Sequence, residues 1–74
     1  MPYASRHWQE LRSRDFDAAR ASGLAARTLA ILPVAAVEQH GPHLPLDVDA
    51  RLLQGVIDAA LPLLPEELPL LLLP

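Results

Sequence analysis

Two short apolar segments, residues 28–34 and 68–73, constrain the fold of this 74-residue chain more than any other feature. Both are continuous apolar runs of strand length, and the first contains the β-branched residues Thr28 and Ile31, so each predicts a buried β-strand. Between them, residues 49–61 place Leu, Val, Ile and Ala at the i, i+3, i+4 spacing of a helix. The pattern predicts an α/β fold containing a βαβ unit, with parallel strands and a right-handed crossover.

The remaining segments give the boundaries of these elements. Residues 8–22 predict a helix or two helical turns, and Gly23 is a suitable stop. Residues 38–48, rich in Gly and Pro, predict a loop, and two further prolines at positions 62 and 65 end the second helix. We therefore expect the order helix, strand, helix, strand.

Two parallel strands that are buried on both faces need further strands and helices around them. The sequence ends on its most apolar segment, residues 70–74. We therefore expect residues 1–74 to be the incomplete N-terminal portion of one larger, layered α/β domain with a mostly parallel sheet. By the same reasoning we expect the chain on its own to be unfolded, molten or aggregated, because too little apolar surface is covered to offset the cost of ordering.

Composition excludes several classes of function. The net charge is −3, and the six positive charges are scattered arginines, so nucleic-acid binding has no support. There are no cysteines, so any metal must be held by His and carboxylates. The first residues lack a signal peptide, and no apolar run approaches the roughly 20 residues that span a bilayer. We expect a soluble cytoplasmic protein with no membrane partner.

The loop after the first strand carries the candidate ligands Glu38, His40 and Asp49. Loops at strand ends are where α/β proteins build sites. In extended backbone, residues two apart point to the same side at a spacing of about 7 Å, which suits two ions about 3.5–4 Å apart. Each residue also has a simpler interpretation. In that interpretation Glu38 is a solvated acid, His40 is a surface or hydrogen-bonded histidine, and Asp49 is a helix N-cap, unless Asp47 caps the helix instead.

The string Leu32-Pro33-Val34-x-x-x-Glu38-Gln39-His40-Gly41-Pro42-His43-Leu44-Pro45-Leu46-x-x-Asp49 resembles the signature of the creatininase (creatinine amidohydrolase) family. The resemblance implies a metal-dependent hydrolase that cleaves C–N bonds of small, often cyclic amides and uses two divalent ions, Zn²⁺ and/or Mn²⁺. It implies that Glu38 binds one ion, that His40 binds the other, and that Asp49 bridges them. His43 orients a ligand, touches substrate or packs against the turn.

The resemblance also implies which parts of the site these residues do not supply. A second His and a second Glu of the family site follow the second strand, as does the carboxylate that moves the proton. The chain therefore supplies the first half of a binuclear site, and we assign no catalytic residue within it. Many family members have Gly where this sequence has Asp47, and the full-length enzymes are commonly homo-oligomers. The alternatives are a truncated, non-catalytic remnant or a small interaction module whose Leu-rich end docks on a partner.

Overall fold

All 74 residues are described by the structure, which is a computed structural model. It contains two α-helices and two β-strands in the predicted order, together with three short 3-10 turns. The elements are α1 (Ser13–Ser22), β1 (Leu29–Ile31), α2 (Val48–Ala60) and β2 (Leu70–Leu72), with 3-10 turns at Trp8–Glu10, Ala25–Arg27 and Leu61–Leu63. The prediction of an α/β chain is confirmed.

The chain divides into two compact units. The first unit comprises Met1–Pro33 and Pro65–Pro74, and the second comprises Val34–Leu64. Both strands belong to the first unit, whereas α2 and the loop that precedes it belong to the second. No helix is long and apolar enough to cross a membrane.

β1 and β2 pair in parallel, as predicted, but each strand has only three residues. Leu29 lies opposite Leu70, and the Leu29 N–H donates to the Pro69 carbonyl at 2.8 Å. The predicted strands, 28–34 and 68–73, were too long. Pro33 and Pro69 lie just outside the paired residues, and neither has the N–H that would continue a ladder.

The two strands differ in burial. Leu71 and Leu72 of β2 are 4% and 7% exposed, whereas Leu29 and Ile31 of β1 are 52% and 39% exposed. The prediction that both strands are buried was therefore wrong for β1 in this chain. The reason is that the core forms around Leu71 of β2, where Tyr3 and Ala19 pack. Three partly buried side chains pack against this core: Leu11, Phe16 and Leu24.

The N-terminal segment pairs with the second edge of β2. The Leu72 N–H donates to the Arg6 carbonyl at 2.7 Å, and His7 forms a parallel bridge with Leu72. The Arg6 guanidinium is buried and donates to the carbonyls of Leu68 and Pro65 at 2.7 and 2.8 Å. Because successive residues of a strand direct their backbone groups to opposite edges, β2 is central, with β1 on one side and residues 6–7 on the other.

The predicted helical segment 8–22 consists of two pieces. A 3-10 turn ends at Glu10, Leu11 and Arg12 are extended, and α1 starts at Ser13. Asp15 fixes this start because its Oδ2 accepts the Arg12 N–H at 2.8 Å, while the Asp15 N–H donates to the Arg12 carbonyl at 2.9 Å. The predicted stop is found at Gly23, whose φ of 82° is the left-handed conformation that favours glycine.

The small size of the core predicts that the 74-residue chain on its own folds poorly. Four hydrophobic residues are buried and twelve large ones are exposed. Ordering costs roughly 1–2 kcal/mol per residue in backbone entropy, which so small a core does not offset. We expect the 74-residue chain to show no cooperative melt by calorimetry, weak amide-exchange protection and self-association.

Two leucine variants test whether this core is sufficient for folding. Leu71 is buried, whereas Leu63 is 84% exposed. A monomer that melts cooperatively, and whose midpoint falls in Leu71→Ala but not in Leu63→Ala, would show that this core is sufficient.

Candidate metal centre

Three acidic or imidazole side chains converge in the second unit. Glu38, His40 and Asp49 each offer one ligand atom, and these atoms all lie within 4.8 Å of one another. Glu38 is exposed and lies in the irregular segment after β1, whereas partly buried Asp49 lies in the first turn of α2. The structure thus brings together the three residues that the sequence singles out as candidate ligands.

Backbone hydrogen bonds explain why residues so far apart in sequence meet. The Glu38 N–H donates to the Leu46 carbonyl at 3.0 Å, so the segment before the turn lies beside the segment after it. His40 and Leu44 form an antiparallel bridge nearer the tip. Since α2 starts at Val48, just beyond Leu46, this closure carries the first turn of the helix to the side chains of Glu38 and His40.

Gly41 permits the reversal of the chain. Its φ is +77°, a left-handed conformation that costs residues with a Cβ roughly 1–2 kcal/mol. Its N–H donates to Oε1 of Gln39 at 2.8 Å, which holds the turn from within. The glycine is therefore required by the backbone of the turn, since a Cβ built there would meet nothing within 4 Å.

The imidazole of His40 has an unsatisfied atom. Its Nε2 lies 3.5 Å from Oδ2 of Asp49, a distance within ion-pair range. That approach does not make a hydrogen bond, and Nε2 is a buried atom with no hydrogen-bond partner. At 3.5 Å the two atoms are beyond the usual N–H···O hydrogen-bond range. An unsatisfied buried nitrogen costs about 1–3 kcal/mol, which a ligand at this position would relieve.

The donor set fits a divalent metal. One imidazole and two carboxylates, with no thiolate, suit Zn²⁺ or Mn²⁺. Two ligands on a tetrahedral zinc with bonds of about 2.0–2.1 Å are about 3.3 Å apart, close to the 3.5 Å between His40 and Asp49. The ligand atoms of all three residues lie within 4.8 Å of one another, a spacing that also permits a pair of ions about 3.5–4 Å apart.

The alternative role of Asp49 as helix N-cap is not what the structure shows. Asp47 holds the N-cap position, and Asp49 is the second residue of α2. A carboxylate in the first turn is favoured by the helix dipole and remains free to face His40. Asp47 makes no capping hydrogen bond, and its Oδ1 accepts from Nε of Arg51 at 2.9 Å.

His43 lies on the turn that contains Gly41, where it is exposed. It is outside the triad, so its three suggested roles stay predictions. The Asp47–Arg51 ion pair was missed by the sequence analysis. The predicted helix began at residue 49 and so left Asp47 out. An acid four residues before a base at the start of a helix is the pattern that signals such a pair.

One comparison with known proteins identifies the family of this chain. The model of the creatininase family, described as creatinine amidohydrolase, matches residues 9–74, which include the triad and both strands. This chain belongs to the creatininase family. Comparison with curated proteins and with solved structures found no match.

The two glycines of the second unit provide a matched pair of variants. Gly41→Ala strains the turn by about 1 kcal/mol, so we expect it to weaken divalent-metal binding severalfold. Gly55→Ala lies inside α2 in open space and should raise helicity without weakening binding. Metal titration and far-ultraviolet circular dichroism of both variants, made in an intact protein that contains this segment, check this. Equal metal affinities in the two variants would show that the turn does not position the ligands.

Proposed function

We propose that this chain provides metal ligands to a divalent-metal-dependent amidohydrolase that cleaves C–N bonds of small, often cyclic amides. The observation that carries the proposal is the convergence of Glu38, His40 and Asp49 around a buried imidazole nitrogen that has no hydrogen-bond partner. Family membership supports the class of reaction. A small-molecule amide is the corresponding substrate.

The ligand roles are those that the family resemblance implies. Glu38 would hold one ion, His40 a second ion, and Asp49 would contribute to both, since a carboxylate has two oxygens. Zn²⁺ and Mn²⁺ suit this set of nitrogen and oxygen donors. Divalent ions in such a site acidify water and polarise a carbonyl.

The protein's own contribution is to hold these donors in place. Asp49 is fixed by the first turn of α2, and the loop closure from Glu38 to Leu46 holds the other two donors beside it. The partial burial of His40 excludes water from Nε2 and leaves that atom free to bind. Preorganised donors of this kind lose little conformational entropy on binding.

Three donor residues are too few to hold two ions tightly, so we propose that the remaining ligands and the proton-transferring carboxylate lie outside these 74 residues. Residues 1–74 then form the N-terminal portion of one creatininase-like domain, whose further elements cover the exposed β1. We propose a homo-oligomer for such a protein. The 74-residue chain by itself should bind metal weakly and show no amide hydrolysis.

Metal dependence is the first test of this function. In an intact protein containing this segment, chelation should abolish hydrolysis of a small amide. The reason is that the three residues of the triad act only by holding the metal ions. Zn²⁺ or Mn²⁺ should restore activity, whereas Mg²⁺ at the same concentration should restore less, since the imidazole of His40 is a poor ligand for Mg²⁺. Full turnover in a preparation shown to be metal-free by elemental analysis would rule the mechanism out.

A pair of isosteric variants in α2 separates ligation from helix stability. Asp49→Asn removes a charged donor, so we expect metal affinity to fall by at least about tenfold, with loss of activity. Helix stability should fall by no more than about 1 kcal/mol, because Asp49 is not the N-cap and the variant loses only the interaction of its charge with the helix dipole. Asp58→Asn, an exposed acid later in the same helix, is the control and should leave metal binding intact. An Asp49→Asn variant that still takes up two ions per chain would remove Asp49 from the ligand set.

A further inference from the structure

Two of the candidate ligands lie on a short hairpin whose pairing has a defined register. His40 and Leu44 form an antiparallel bridge, and the Glu38 N–H donates to the Leu46 carbonyl at 3.0 Å. These two contacts are two residues apart on each segment, so they belong to one antiparallel register. In this register His40 lies opposite Leu44, and Glu38 lies opposite Leu46.

The register places two leucines on the face of the hairpin that carries the ligands. Residues opposite one another in an antiparallel pair project to the same face, with Cβ atoms about 4.5–5.5 Å apart, and residues two apart in one strand share that face. The ligand atoms of Glu38 and His40 both approach Asp49, which identifies this face as the side of the metal centre. Leu44 and Leu46 therefore stand beside the ligands.

The two kinds of side chain on this face differ in exposure. Nε2 of His40 is buried and has no hydrogen-bond partner, whereas Leu44 and Leu46 are 53% and 58% exposed. A molecule that binds at the triad through a polar group can therefore cover the two leucines with hydrocarbon. Each methylene that is removed from water in this way raises affinity by about fourfold.

We propose that Leu44 and Leu46 are specificity-determining residues that contact the hydrocarbon part of the amide substrate. Amides that carry an apolar substituent are then favoured over small polar ones. This inference rests on the proposed metal-dependent function and adds a class of substrate to it. The triad holds the ions, and the leucines supply binding energy that grows with the length of the apolar group.

The test uses straight-chain hydroxamates, which bind divalent metals and carry their alkyl group on the carbonyl carbon, as an amide does. Calorimetry gives the dissociation constants of acetohydroxamate, propionohydroxamate and butyrohydroxamate on an intact, Zn²⁺-loaded protein that contains this segment. We expect affinity to rise by about fourfold with each added methylene. A flat series in the parent protein would overturn the inference without any variant.

Four variants locate the apolar contact. Leu44→Ala and Leu46→Ala should each reduce the gain per methylene to about twofold or less, while zinc content and acetohydroxamate affinity stay unchanged. Leu44→Met keeps an apolar side chain of similar size and should keep the gain. Val37→Ala is the matched control, because Val37 is exposed and precedes Glu38, so extended backbone directs it to the opposite face. This variant should behave as the parent does.

The outcomes separate this inference from the function beneath it. Lower thermal stability in the leucine variants, with an unchanged gain per methylene, would show that other parts of the protein cover the leucines, and would overturn the inference alone. An equal reduction in Val37→Ala would overturn the assignment of the face, and the inference with it. If the parent protein takes up no Zn²⁺, the metal site itself fails. Zinc uptake with a flat hydroxamate series removes only the role of the leucines.

Discussion

Backbone pairing on both edges of Leu70–Leu72 is the constraint on which the first unit depends. β1 pairs with one edge of this strand, and the N-terminal segment at Arg6 and His7 pairs with the other. The strand is therefore central although it has only three residues, and Leu71 is the point on which Tyr3 and Ala19 pack. Segments from both ends of the chain meet at this strand, so the first unit cannot form from local contacts alone.

The second unit depends on local closure instead. One hydrogen bond from Glu38 to Leu46 and one left-handed glycine bring three candidate ligands together within twelve residues, from position 38 to position 49. A short loop is closed at little cost in entropy. The donors are thus brought together by the loop and the first turn of α2, all within the second unit.

The sequence allowed the order of elements, the parallel strands and the convergence of Glu38, His40 and Asp49 to be predicted, because each is encoded in residue spacing or in a recognisable motif. Spacing does not say what covers an apolar strand, so the exposure of β1 was missed. Nor does it reveal the buried Arg6, because the partners of that guanidinium are backbone carbonyls, which any residue carries. The ligand roles of the triad stay predictions.

The contacts of Arg6 have a consequence for ionic strength. Two interactions join the N-terminal segment to the turn at 65–68: the buried guanidinium bonded to the Pro65 and Leu68 carbonyls, and an ion pair between the Met1 amino group and Glu66 at 3.2 Å. The ion pair is exposed, with Glu66 82% accessible, so salt screens it. The Arg6 hydrogen bonds join a charge to two dipoles at a residue that is only 9% exposed, so salt screens them less than the ion pair. At high salt, the link between the two ends of the first unit therefore depends on Arg6 more than on the Met1–Glu66 pair.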